Sequence, residues 1–239
     1  MSDDSFEAGP STKWGWLAAI GITLAAVAAA QFVAAGLILS LGWDLNNLSQ
    51  IQVYAVAGLS VTLPLIVLWL YLRKRRAGLA DLGLGPKPPR LIKPVLRAFG
   101  QYLLTALVIM LGLSLLSPDV DLDQAQELGL GDSPQAAYEY LSLFLLLLVL
   151  TPLSEEILFR GFMLKGLASR FGWSAAAVGS SLLFGLAHGQ LNVGIDTAIL
   201  GWYSAQLVIQ TGSLWPSIAL HALKNSIAFT LVFLTPLVS

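Results

Sequence analysis

Residues 140–160 read YLSLFLLLLVLTPLSEEILFR. From Tyr140 to Leu153 the stretch is almost wholly apolar. It then meets two adjacent carboxylates, Glu155 and Glu156, and a guanidinium, Arg160, before apolar sequence resumes. An apolar run that ends on charge it cannot easily solvate belongs in a membrane. The rest of the chain agrees. Its 239 residues are 56% hydrophobic and 11% charged, with a mean hydropathy of +0.75. Soluble domains carry about 25% charged residues, because their surface must meet water. The composition excludes a soluble enzyme and a disordered tail, and a net charge of −1 also excludes a nucleic-acid binder. With no cysteine there is no disulfide framework, thiol nucleophile or Cys-based metal site.

Apolar runs predict an all-α, polytopic transmembrane bundle of about seven spans: roughly Trp14–Leu41, Ile51–Leu72, Phe99–Leu116, Tyr140–Leu153 and onward, Trp173–His188, Val193–Ile209 and Pro216–Leu237. The polar tail at 1–13 lacks a basic n-region, so the first run reads as a retained span. Residues 14–72 then hold two spans, 73–98 a basic Gly/Pro-rich loop, 99–139 a third span with an acidic loop, and 140–239 the candidate catalytic core. Eight of the thirteen Lys and Arg lie between Arg73 and Arg97, whereas Pro118–Glu139 holds six acidic residues and no basic one. Positive residues in short loops stay on the cytoplasmic side. The basic loop and the N-terminus are therefore expected inside and the acidic loop outside, with Arg160, Lys165 and Arg170 marking the next inner turn. The prolines up to Pro94 are expected to prevent one continuous helix through the basic loop. Beyond them, Leu91–Phe99 has the spacing of a short helix on an anionic lipid surface, or of a merely solvated basic face.

Ionisable groups within membrane segments are costly and are functional candidates by default. Here they cluster in the C-terminal half. The two histidines of the chain, His188 and His221, both lie beside apolar sequence there, with Asn225 four residues after His221. Gly172 predicts a turn between two antiparallel helices. Glu155 lies 17 residues before it and His188 16 after, so both stand roughly 24 Å from the turn at 1.5 Å per residue. Counted from Pro216, His221 and Asn225 reach a similar shallow depth on the inner side, so three motifs can share one site. Glu156 and Arg160, four apart, suit a helical ion pair that leaves Glu155 free. Phe184 lies one turn before His188 and can pack against its ring. Lys224 has no evident role beyond snorkelling to the surface.

Two carboxylates, two imidazoles and an amide in a partly desolvated place are equipment for activating water and stabilising an oxyanion. The ordered set Glu155-Glu156-x-x-x-Arg160, Phe184-x-x-x-His188 and His221-x-x-x-Asn225 resembles the three motifs of the CAAX protease and bacteriocin-processing (CPBP) family of intramembrane endopeptidases. That resemblance implies a helical bundle with a cavity open to the cytoplasm. It also implies that Glu155 and His188 activate water while His221 and Asn225 form the oxyanion site, supported by Glu156, Arg160 and Phe184. No cofactor is implied, and the substrate would be a membrane-embedded or lipid-anchored peptide beside membrane lipid. Three other readings remain open. One is a zinc site of Glu155, Glu156, His188 and His221, which Arg160 disfavours. Another is axial ligation of haem or chlorophyll, which leaves the paired glutamates unexplained. The third is a non-proteolytic assembly partner in a larger membrane complex.

Overall fold

The computed structural model describes residues 9–44, 48–86, 90–116 and 136–234, and no strand occurs among them. Seven long helices form an all-α bundle. α1 is Trp16–Ser40 and α2 Gln50–Lys74; a four-residue turn, α3 (Leu79–Leu82), precedes α4, Ile92–Leu116. α5 runs over 137–171 and α6 over 173–186. α7 is Leu191–Thr211, and α8, Trp215–Phe229, continues into a π-helical turn, Thr230–Leu234. α1, α2, α4 and the α5–α6 pair, taken together as Ala137–Leu186, are long and apolar enough to cross a membrane. The chain is accordingly an integral membrane protein. α4 buries only Val95, Ala98 and Tyr102 and turns Leu103, Leu104, Leu107 and Leu111 outward, a surface suited to lipid. α7 and α8 are less apolar, because Asn192, Asp196, His221, Lys224 and Asn225 interrupt them.

The hairpin at Gly172 is present. This residue has φ 77° and ψ 167°, in the half of conformational space that favours glycine. The helices on either side fold back on each other: Phe159 and Phe184, thirteen residues before and twelve after, meet at 4.8 Å between centroids with their rings tilted at 59°.

Two boundaries differ from expectation. The third span begins at Ile92 rather than Phe99, so the stretch weighed as an interfacial helix forms the first turns of α4. Pro94 does not prevent this, because it falls in the first helical turn, where backbone N–H groups have no intrahelical partner anyway. The basic loop is also docked where it is described. Leu82 is buried, Gly83 C=O accepts from Leu214 N–H at 2.9 Å, Gly85 C=O from Trp215 Nε1 at 2.9 Å, and Asp81 C=O from Lys165 Nζ at 3.0 Å. Gly78 N–H and the Lys13 ammonium, both bonded to the Asp81 carboxylate, hold that carboxyl below its ordinary range. The loop and the chain entering α8 therefore share one end of the bundle. Of the acidic segment expected outside, all but residues 136–139 lie beyond the described residues.

Candidate active site

α5 carries Glu155 and Glu156 between two π-helical stretches, Leu145–Leu150 and Ile157–Leu164. Such turns in an α-helix are frequent at functional sites. Just before the pair, Ser154 Oγ donates to Val61 C=O of α2 at 2.8 Å and fixes the height of α5. Neighbouring residues of a helix project about 100° apart, so the two carboxylates have different surroundings. Glu156 is fully buried. Its Oε1 accepts from His221 Nδ1–H at 3.1 Å, and its Oε2 lies 3.5 Å from Arg160 Nε. Glu155 keeps 27% of its side chain exposed, with Oε2 3.7 Å from His221 Nε2. His221, on α8, thus bridges the committed carboxylate and the accessible one.

Arg160 is also fully buried, and its guanidinium makes no hydrogen bond to any described residue. It is held instead by the Glu156 charge and by two ring faces, Phe184 on α6 at 4.2 Å and Phe159 at 5.9 Å from the guanidinium carbon to the ring centroid. Desolvated contacts of this kind contribute about 2 kcal/mol. Space for the guanidinium comes from Gly201 on α7, where a Cβ would lie 2.5 Å from Arg160 Nη2. Gly201→Ala should therefore push Arg160 off its seat and lower stability by about 1–3 kcal/mol, the usual cost of overpacking. Thermal unfolding of the purified protein in detergent measures this, and an unchanged midpoint would show that the guanidinium is not confined there.

Phe184 is the wall on which the motifs converge. Its ring packs edge-on against His188 at 4.9 Å and His221 at 6.1 Å between centroids. His188 is half-buried at the C-terminal end of α6 and is bonded through Nδ1 to Phe184 C=O at 2.8 Å. A carbonyl only accepts, so Nδ1 carries the proton, and in the neutral ring Nε2 keeps its lone pair. Asn225, one turn beyond His221, donates from Nδ2 to Leu147 C=O of α5 at 2.9 Å. One of its two amide hydrogens is thus taken and the second remains.

Lys224 does not merely snorkel. Its Nζ lies 3.3 Å from Asp196 Oδ2 on α7, and Asp196 Oδ1 accepts from Tyr102 Oη of α4 at 2.6 Å. This chain of polar groups ties α8 to α7 and α4 beside the site. Asp196 and Tyr102 were not singled out from the sequence; an aspartate within an otherwise apolar run was the available signal. Of the groups considered as zinc ligands, Glu156 faces two nitrogen donors and His221 Nδ1 is bonded to it. Among the described residues, no three His, Asp or Glu side chains are placed to hold a metal ion.

The arrangement offers an accessible carboxylate beside an imidazole whose far nitrogen is anchored on a buried ion pair. No curated protein and no solved structure matches the chain. A family model does, the one described as type II CAAX prenyl endopeptidase Rce1-like, over residues 137–227. These are the residues of α5 to α8 that carry every group of the site, and it is this region that is similar to the Rce1-like CAAX endopeptidases.

Proposed function

We propose that the protein is an intramembrane endopeptidase that hydrolyses a peptide bond of a membrane-embedded or lipid-anchored substrate, with Glu155 activating the water. The observation that carries this reading is the division of labour between neighbouring glutamates. Glu156 is buried and committed to His221 and Arg160, whereas Glu155 is accessible beside the same imidazole. Glu155 takes a proton from water as the oxygen attacks the carbonyl carbon, and His188 Nε2 is the second acceptor that orients this water. His221 in its doubly protonated form, balanced by Glu156, donates Nε2–H to the oxyanion, and the remaining N–H of Asn225 is a second donor. As the C–N bond breaks, the proton held by Glu155 passes to the leaving amine. The products are a carboxylic acid and an amine, and no metal takes part.

The test is incubation of the purified protein with a library of membrane peptides, beside Glu155→Ala, read by mass spectrometry. Cleavage by the wild type only, unchanged by chelators, supports the reading. Activity abolished by chelation and restored by zinc would replace it with a metalloprotease.

The site is further proposed to open toward the cytoplasm, with the N-terminus and the Arg73–Arg97 loop on that side. In support, the loop docks through Asp81 and Gly83 on Lys165 and on Leu214, next to the turn at Gly212. Lys165 belongs to the segment that its own basic residues, Arg160, Lys165 and Arg170, mark as an inner turn. The chain lacks cysteine, so single cysteines at Gly85, where a Cβ meets nothing within 4 Å, and at Gly129 can be labelled from each side. Labelling from opposite sides is expected; labelling from one side would reverse the assignment of one loop.

A further inference from the structure

Pro152 stands inside α5, three residues before Glu155. A proline within a helix lacks the N–H donor, and its ring crowds the carbonyl four residues back. α5 nonetheless continues through it, because the preceding stretch, Leu145–Leu150, is π-helical. The bonding of that stretch has a consequence at one carbonyl. Thr151 N–H, which an α-helix would give to Leu147, goes to Leu146 instead. The donor that the i→i+5 pattern would then supply to Leu147 belongs to residue 152, and proline has none. Leu147 C=O is deprived of both its regular backbone partners. In the structure it accepts from Asn225 Nδ2.

We infer that Pro152 is a positioning residue for Asn225: by withholding an N–H from Leu147 it keeps one carbonyl open, and that carbonyl seats the Asn225 amide. Fixing one N–H of a planar amide fixes the direction of the other. The second hydrogen is therefore aimed by α5, the same helix that carries Glu155, and the base and the donor keep register across two helices. The catalytic consequence rests on the proposed role of Asn225, but the hydrogen-bond relation does not depend on it.

Pro152→Ala supplies the missing donor and is itself favourable in a helix interior. A double-mutant cycle on the full chain in detergent, read as the unfolding midpoint, isolates the relation. In the wild type, Asn225→Ala strands the Leu147 carbonyl and lowers Tm. In the Pro152→Ala background the backbone takes that carbonyl, and the same substitution should lower Tm by less than about half as much. Pro64→Ala, which removes the interior proline of α2, is the control and should leave the loss caused by Asn225→Ala unchanged. An equal loss in the wild-type and Pro152→Ala backgrounds overturns the inference, whether or not the protein cleaves anything. On a peptide that the wild type cleaves, Pro152→Ala should raise Tm yet lower kcat by about 10-fold or more with KM unchanged. A proline of purely structural importance would change Tm alone, so an unchanged kcat overturns the positioning role. If the wild type cleaves no peptide, the proposed function fails, and the cycle still decides the relation between Pro152 and Asn225.

Discussion

Glu155→Gln is expected to lower peptide hydrolysis by about 10²–10⁴-fold, the range over which general bases contribute, with the fold intact. Glutamine keeps the size of the side chain and its hydrogen bonding but has no basic oxygen. The side chain is part-exposed, and its nearest charged partner, His221 Nε2 at 3.7 Å, is beyond a good hydrogen bond. Its neutralisation should accordingly shift stability by no more than about 0.5 kcal/mol. Glu156→Gln supplies the contrast. That residue is buried against Arg160 and His221, so its loss should appear first in the unfolding midpoint. The measurement is the initial rate for each variant at matched membrane abundance, together with rescue of any cellular phenotype of the deletion. Full activity in Glu155→Gln would remove the protease mechanism. It would favour a non-proteolytic partner of a membrane complex, which needs the fold and its surface but not a base.

The hairpin, the shared site and its polar members were legible in the sequence because each depends on local rules. Gly172 announces a turn, helical rise carries Glu155 and His188 to one level, and four-residue spacing pairs Glu156 with Arg160. Leu214 packs level with Gly161, where a Cβ would lie 3.0 Å from its Cδ1, so the Gly172 tip projects well beyond the turn at Gly212. Helix lengths counted from separate turns assume that the turns lie in one plane, and here they do not. What escaped was contact across long separations. No periodicity pairs Glu156 with His221 or Lys224 with Asp196, since these meet only once α5, α7 and α8 pack. The docking of the Gly/Pro-rich loop escaped for a different reason. Its glycines and prolines correctly signalled that no single helix runs through it, but a loop whose carbonyls are taken by Leu214, Trp215 and Lys165 looks in sequence the same as one facing water.

Arg160→Met should be the most destabilising single change, at about 3–5 kcal/mol, because it breaks a buried ion pair and leaves the Glu156 carboxylate without its guanidinium partner. Methionine keeps most of the stem volume against Phe159 and Phe184, so loss of packing is a small part of the effect. The remaining charged neighbour of Glu156, the His221 ring in its doubly protonated form, also faces Glu155, so it does not take the place of the guanidinium. Activity should fall with stability, by a different route from Glu155→Gln. A second substitution separates the two effects. Arg160→Met with Glu156→Leu removes both charges together. Replacing a buried ion pair with apolar groups is often neutral or stabilising, so the double variant should recover much of the stability lost by Arg160→Met. It should remain inactive, because His221 then has no carboxylate behind Nδ1. Thermal or denaturant unfolding in detergent reads the first outcome and the peptide assay the second. If the double variant were as unstable as Arg160→Met, the buried charge of Glu156 would not be the cause, and the loss would belong to the guanidinium's contact with Phe184. If it were stable and fully active, Glu156 and Arg160 would be a dispensable ion pair and His221 would need no anchor.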